Sequence, residues 1–228
     1  MSVGRESNPE IHVLGASERW CVIVKPPGML SVPGKGPEKA DCAAARVARA
    51  FPSARGPLVV HRLDMETSGL MVFGLDEDAQ RDLSRQFEER LVEKSYTALV
   101  DAAFTPGPRT PASDPLAATD GEIDLPLRPD IDRRPIQIVD DEHGRPARTR
   151  WRVQTREVDR VRLLLMPLTG RTHQLRVHCA QGLGHPIIGD ALYGWGASGP
   201  RLMLHATTLS FLEPGGTRRI DFENRPAF

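Results

Sequence analysis

The sequence predicts a mixed α and β domain, on three observations. Short apolar runs of strand length recur at residues 20–24, 70–73, 94–100, 161–166 and 203–211. Segments of helical composition or period lie between them, at residues 41–51 and 76–91, with a third expected from Thr172 to about residue 181. No internal repeat and no convincing linker divides the 228 residues, which suffice for one domain with a substantial core.

Composition excludes several classes. Hydrophobic residues make up 39%, as in soluble globular proteins, and no apolar run approaches the ~20 residues of a membrane helix. The first ten residues are polar and carry no secretory apolar segment, so the cytoplasm is the expected location. Cys21, Cys42 and Cys179 are odd in number and widely spaced, which suggests neither a disulfide framework nor a zinc knuckle. Net charge is zero, but unevenly spread. Residues 64–93 hold nine acidic side chains against three arginines, and residues 143–176 hold nine arginines against two acidic ones. The second segment suits a polyanion; the plainer alternative is a solvated surface in an arginine-biased chain.

Taken in order, residues 1–18 read as a frayed lead-in. Residues 20–24 form a buried strand, stopped by Lys25, Pro26, Pro27 and Gly28. Residues 30–36 make a glycine-bearing loop, either a connector or a close approach to a ligand. Residues 41–51 are alanine-rich and helical, closed by Pro52. The polar stretch HRLDMETSGL at 61–70 then lies between apolar runs at 58–60 and 70–73. A carboxylate between apolar walls is costly unless compensated, so Asp64 either works chemically or bonds its own turn. Asp76 is placed to cap the next helix, with an acidic first turn and an apolar stripe of Leu83, Phe87 and Leu91.

Residues 94–100 alternate as a strand and carry Tyr96, one of two tyrosines. Residues 104–121, rich in Pro, Ala, Ser and Thr, read as an inserted, exposed, loosely ordered loop. A short extended piece follows at 122–127. Two strands at 149–153 and 161–166 flank a turn, and the second ends at Gly170 and Arg171. Thr172 is placed to cap a helix that breaks at Gly182–Pro186. A turn-rich connector fills 187–194, and a polar tail follows the last strand from Glu213.

His173, His178, Cys179 and His185 cluster in sequence, but His173 and His178 lie about 140° apart around a helix and do not converge on a metal. No phosphate-binding glycine loop and no G-x-S-x-G is present. Asp64 and Glu66 share one face of an extended segment, and a glycosidase instead places carboxylates on either side of a bond, ~5–9 Å apart.

Five blocks remain, and together they resemble the RluA-type pseudouridine synthase family. They are IVKP with LSVPG from Ile23 to Gly34; HRLDMETSGL at 61–70; KSYTA at 94–98; GRTHQLRVH at 170–178; and HPIIGD at 185–190 with Leu204, His205 and Ala206. The combination is specific where no single block is, and spans about residues 20–212. The likeness is nearest to the short branch that modifies both large-subunit rRNA and tRNA, with departures in the 104–121 loop and at Gly194, Trp195 and Gly196.

The resemblance implies an α+β fold, with a mixed, mostly antiparallel β-sheet, flanking helices and a central active-site cleft. It implies one catalytic domain over 19–228 with no S4 domain before it. The implied reaction is isomerisation of uridine to pseudouridine in structured RNA, without cofactor or metal, and a monomer is the expected state. Asp64 matches the family's catalytic aspartate, Arg171 the cation that pairs with it, and Tyr96 the active-site tyrosine, able to stack on the base and take the C5 proton. Arg62, His61, Thr67, Leu175, Arg176 and Lys25 are the implied substrate-binding residues, Arg62 as the side chain that fills the space left by a flipped uridine, or as an ion-pair partner of Glu66. An idle RNA-binding or RNA-folding protein on the same fold is the alternative, and a nucleoside-handling glycosidase a distant third.

Overall fold

The computed structural model describes residues 11–194 and 199–228. Its centre is a nine-stranded sheet in the order β1-β2-β3-β10-β4-β9-β8-β5, with β11 also pairing β10. These strands are β1 (His12–Ala16), β2 (Trp20–Lys25), β3 (Ser68–Gly74), β4 (Glu93–Asp101), β5 (Asp120–Asp124), β8 (Arg148–Arg156), β9 (Arg160–Pro167), β10 (Leu204–Leu212) and β11 (Arg219–Glu223). The short strands β6 (Leu127–Pro129) and β7 (Gln137–Val139) form a separate hairpin. Among the described residues, the named strands pair antiparallel except β3 with β10. The expected α+β, mixed and mostly antiparallel architecture is therefore present.

Strand alternation builds two cores, one on each face of the sheet. Ile23, Met71, Phe73, Ala98, Leu163 and Leu165 belong to one cluster. Their neighbours Val22, Leu70 and Val72 belong to the other, with Leu83, Leu209 and Phe211. The helix α1 (Ala43–Ala50) brings Val47 to the first cluster, and α2 (Glu77–Glu88) brings Leu83 to the second. The third helix, α3 (Gln174–Val177), runs on into a wider turn over His178–Leu183.

Several local expectations change. The described part of the lead-in is not frayed: β1 pairs with β2, because alternation carries Val13 onto the core. Residues 1–10 lie outside the described residues. Residues 58–60 are no strand; Leu58 has φ 55° and only Val59 bridges to Phe73. Asp76 caps α2 as expected, accepting from Ala79 N–H at 2.7 Å. The helix ends before Leu91, however, because Arg90 turns left-handed at φ 60° and Leu91 N–H closes on Gln86 O at 2.9 Å, so Leu91 stays partly exposed. The cap of α3 is His173, not Thr172, and α1 starts from Cys42, whose Sγ accepts from Ala45 N–H. The 104–121 loop is tied down: Leu116 is buried and the Arg156 guanidinium donates to Leu116 O and Ala118 O. The polar tail contributes β11. Trp195 and Gly196 of the connector lie outside the described residues.

Candidate active site

A cleft of about 1270 Å³ opens between the 61–67 loop, the cleft-facing side chains of β4 and the turn that leads into α3. Asp64 stands in its wall, with 26% of its side chain exposed.

Its position is set from both sides. Ser31 Oγ donates to Leu63 O at 2.7 Å and accepts from Leu63 N–H at 3.1 Å. Beyond Asp64, Met65 O accepts from Gly28 N–H at 2.9 Å and from Lys25 Nζ at 2.9 Å. Thr67 N–H closes the turn onto Asp64 O at 3.1 Å. Residues 25–31 are thus a clamp on the aspartate loop.

Lys25 is fully buried, and its ammonium also donates to Pro26 O at 3.0 Å and Met29 O at 2.8 Å. Three donors meet three carbonyls, so the expected substrate contact by Lys25 is replaced by a structural one. Burial lowers its pKa to about 8, against the pull of Glu66 and Asp64.

The cation that faces Asp64 is Arg176, not Arg171. Arg176 Nη1 lies 3.9 Å from Asp64 Oδ2. Its Nε and Nη2 form a fork on Asp190 at 2.8 and 2.6 Å, and Tyr193 packs on its guanidinium at 5.3 Å. Burial opposes the charge on Arg176, but the Asp190 bonds and the Asp190 and Asp64 charges hold its pKa above the ordinary value. Arg171 instead donates from Nε to Pro146 O at 3.0 Å at the cleft rim. Both arginines flank one short turn, and only the one inside α3 is carried inward. This also moves Arg176 from the expected substrate-binding set to the side of Asp64.

Tyr96 lines the cleft and is buried on β4. Burial, reinforced by the Asp64 charge, pushes its pKa above the ordinary value. The hydroxyl keeps its proton at neutral pH, so a resting phenolate base for the C5 proton is disfavoured. Lys94, on the same face of β4, packs over Phe87 at 5.5 Å and has its pKa lowered by burial.

His61 stacks on Phe87 at 4.5 Å and accepts from Val72 N–H through Nε2 at 3.1 Å. Burial, with Lys94 nearby, lowers its pKa to about 3, so it is a neutral prop for the loop. Leu175 is buried in the main core while also lining the cleft. Thr67 Oγ1 is buried without a protein partner among the described residues. Arg62 is exposed at the rim and makes no ion pair with Glu66.

Sequence reasoning missed Asp190, Tyr193, Ser31 and Lys94 as members of the site. The blocks that hold them were visible, but no spacing within a block reveals contacts made between blocks.

Comparison with known proteins identifies the family. Residues 19–181 match the RNA pseudouridylate synthase family. The chain belongs to that family and is an RNA pseudouridine synthase, an enzyme that isomerises uridine to pseudouridine. It is 40% identical over 226 residues to the dual-specificity RNA pseudouridine synthase RluA of Pasteurella multocida, covering 97% of this chain and 96% of that one. To the enzyme of the same name from Escherichia coli K12 it is 41% identical over 219 residues, covering 94% and 93%. Among solved structures, human RNA pseudouridylate synthase domain containing 1 superposes with a TM-score of 0.73 at 27% identity, over 100% of this chain and 87% of that one.

Proposed function

We propose that Asp64 is the reacting carboxylate, that Arg176 is its partner, and that the substrates are uridines in 23S rRNA and in tRNA anticodon stem-loops. The observation that carries this reading is the cleft's carboxylate: Asp64, clamped at Leu63 and Met65 and faced by the Arg176 guanidinium at 3.9 Å. The dual-specificity relatives support more than one RNA as substrate.

In the reaction, the C1′–N1 bond breaks, uracil turns, and C5 bonds to C1′. The C5 proton leaves, and N1 takes one from solvent. Atoms and electrons balance without a redox partner. Asp64 acts as an anion, adding to C1′ or stabilising positive charge there. Arg176 favours that anion, since an adjacent cation stabilises a carboxylate. Tyr96 supports the base with its ring as a neutral phenol.

The uridine must leave its stack to enter the cleft. Arg62, long and without an ion-pair partner among the described residues, stands exposed at the rim and suits the vacated space. Lys94, Arg150 and Arg171 line the same cleft and suit phosphates, so RNA binding weakens with salt. Residues 19–228 act as one cytoplasmic catalytic unit.

The test is tritium release from rRNA and tRNA transcripts labelled at uridine C5. Wild type releases tritium; Asp64→Asn and Arg176→Met do not, while both still bind RNA. Arg171→Met keeps turnover within about tenfold, the scale of one lost rim contact. Release by Asp64→Asn would remove the aspartate from the chemistry. Silence from every protein, with RNA bound, would favour the idle RNA-binding reading.

A further inference from the structure

His173 stands in the turn into α3 with φ 54°, a conformation that L side chains rarely adopt. Its ring is fixed by Tyr193, whose hydroxyl lies 2.8 Å from His173 Nδ1, with the two rings edge to face at 5.7 Å. The same hydroxyl accepts from Gln137 N–H at 2.8 Å.

A phenol has one proton to give. Burial raises the Tyr193 pKa to about 12, so that proton stays. With Gln137 N–H donating to the hydroxyl, the proton's partner among the described residues is His173 Nδ1. Nδ1 is then an acceptor, and the neutral ring carries its proton on Nε2. Burial keeps the ring neutral by lowering its pKa; Arg176 acts in the same direction, against Asp64 and Asp190. His173 lines the cleft together with Asp64, Tyr96 and Arg176, and Nε2 has no protein partner among the described residues.

We propose that His173 is a further catalytic residue, whose Nε2–H donates to a carbonyl oxygen of the flipped uracil, with Tyr193 as the positioning residue that selects this tautomer. This rests on the reading of the cleft as the uridine site. When C1′–N1 breaks, the bonding pair goes to the base and spreads onto its carbonyl oxygens. When C5 bonds to C1′, the pair returns to the new bond. A donor already aimed at that oxygen acts most strongly while the base is detached.

The experiment is steady-state tritium release by the full chain with His173→Asn, His173→Gln and Tyr193→Phe. Asparagine tolerates the left-handed backbone and keeps an amide beside Tyr193, but offers nothing where Nε2 stood. Glutamine reaches that place with an N–H donor. His173→Asn lowers kcat about a hundredfold, as loss of one such donor does, with KM and melting temperature unchanged. His173→Gln recovers about tenfold of that loss, and Tyr193→Phe loses about tenfold, with the tautomer no longer imposed. A purely structural His173 gives the reverse order, with asparagine the better substitute. Wild-type kcat in His173→Asn, or equal loss in both His173 variants, overturns the proposal. If wild type itself releases no tritium, the reading of the cleft falls with it.

Discussion

Lys25 is a charged side chain with no exposure, a rare state unless every donor is met. Its three carbonyl partners join the end of β2, the following turn and Met65 beside Asp64. Lys25→Met would leave Pro26 O and Met29 O without this donor, at about 1–3 kcal/mol each where water does not reach them, and Met65 O with Gly28 N–H alone. The expected outcome is a lower melting temperature together with a kcat reduced at least about tenfold, because a loosened loop misplaces Asp64, the proposed reacting carboxylate. Tritium release and a thermal melt on one preparation read both effects. Stability lost with kcat intact would show that the clamp does not position Asp64. The sequence block around Lys25 was legible as part of a family pattern, but its role was misread as an RNA contact. A lysine before Pro-Pro-Gly looks exposed until Met65, forty residues later, covers it.

At the scale of elements, the parallel pairing of β3 with β10 carries the aspartate loop into the sheet. Gly69 makes it feasible. Its φ is +116°, and a Cβ there would stand 2.3 Å from Ala206 O. Ser68 Oγ adds a bond to His205 Nδ1 at 2.8 Å, and His205 Nε2 meets Asn224. Gly69→Ala must force the strands apart, and a loss of about 3 kcal/mol or more is expected from backbone strain and lost pairing. The denaturant midpoint checks it; a midpoint within error of wild type would mean that β3 and β10 separate cheaply. Helix α2 shows what was readable locally. Its start follows from Asp76 and its acidic neighbours. Its end depends on Arg90 adopting a glycine-like backbone, for which the sequence carried no signal. Its docking rests on Gln86, which exchanges two bonds with the backbone of Leu212 at 2.8 Å each.

At the scale of the whole molecule, folding buries histidines that the unfolded chain leaves in water. His178 is fully buried between Thr149 Oγ1 at 2.9 Å and Leu125 O at 3.2 Å, and burial lowers its pKa to about 4. Its folded pKa lies below the unfolded value of about 6.5. The stability it contributes is therefore whole above about pH 6.5 and drains away as pH falls toward 4, while the unfolded chain takes up a proton that the folded chain refuses. The slope is about 1.4 kcal/mol per pH unit. His61, with its pKa lowered to about 3, acts in the same direction. Urea unfolding at pH 7 and pH 5 is expected to show the loss, and His178→Gln is expected to flatten it. Equal stability of wild type at the two pH values would contradict both assignments.

The sequence by itself determined the strands with alternating faces, the start of α2, the α+β class through its family blocks, and Asp64 as the residue to watch. These depend on near neighbours, whose caps, periods and turn residues act within a few positions. Only the tertiary structure decided which arginine meets Asp64, that Lys25 faces inward, and that Gln137, Tyr193 and His173 form one chain of bonds. Arg171 and Arg176 sit in the same sequence block, and nothing local separates them. The choice is made by Asp190 and Tyr193, which draw Arg176 into the interior from the far side of the α3 turn, where a buried guanidinium is stable only with its fork fully met.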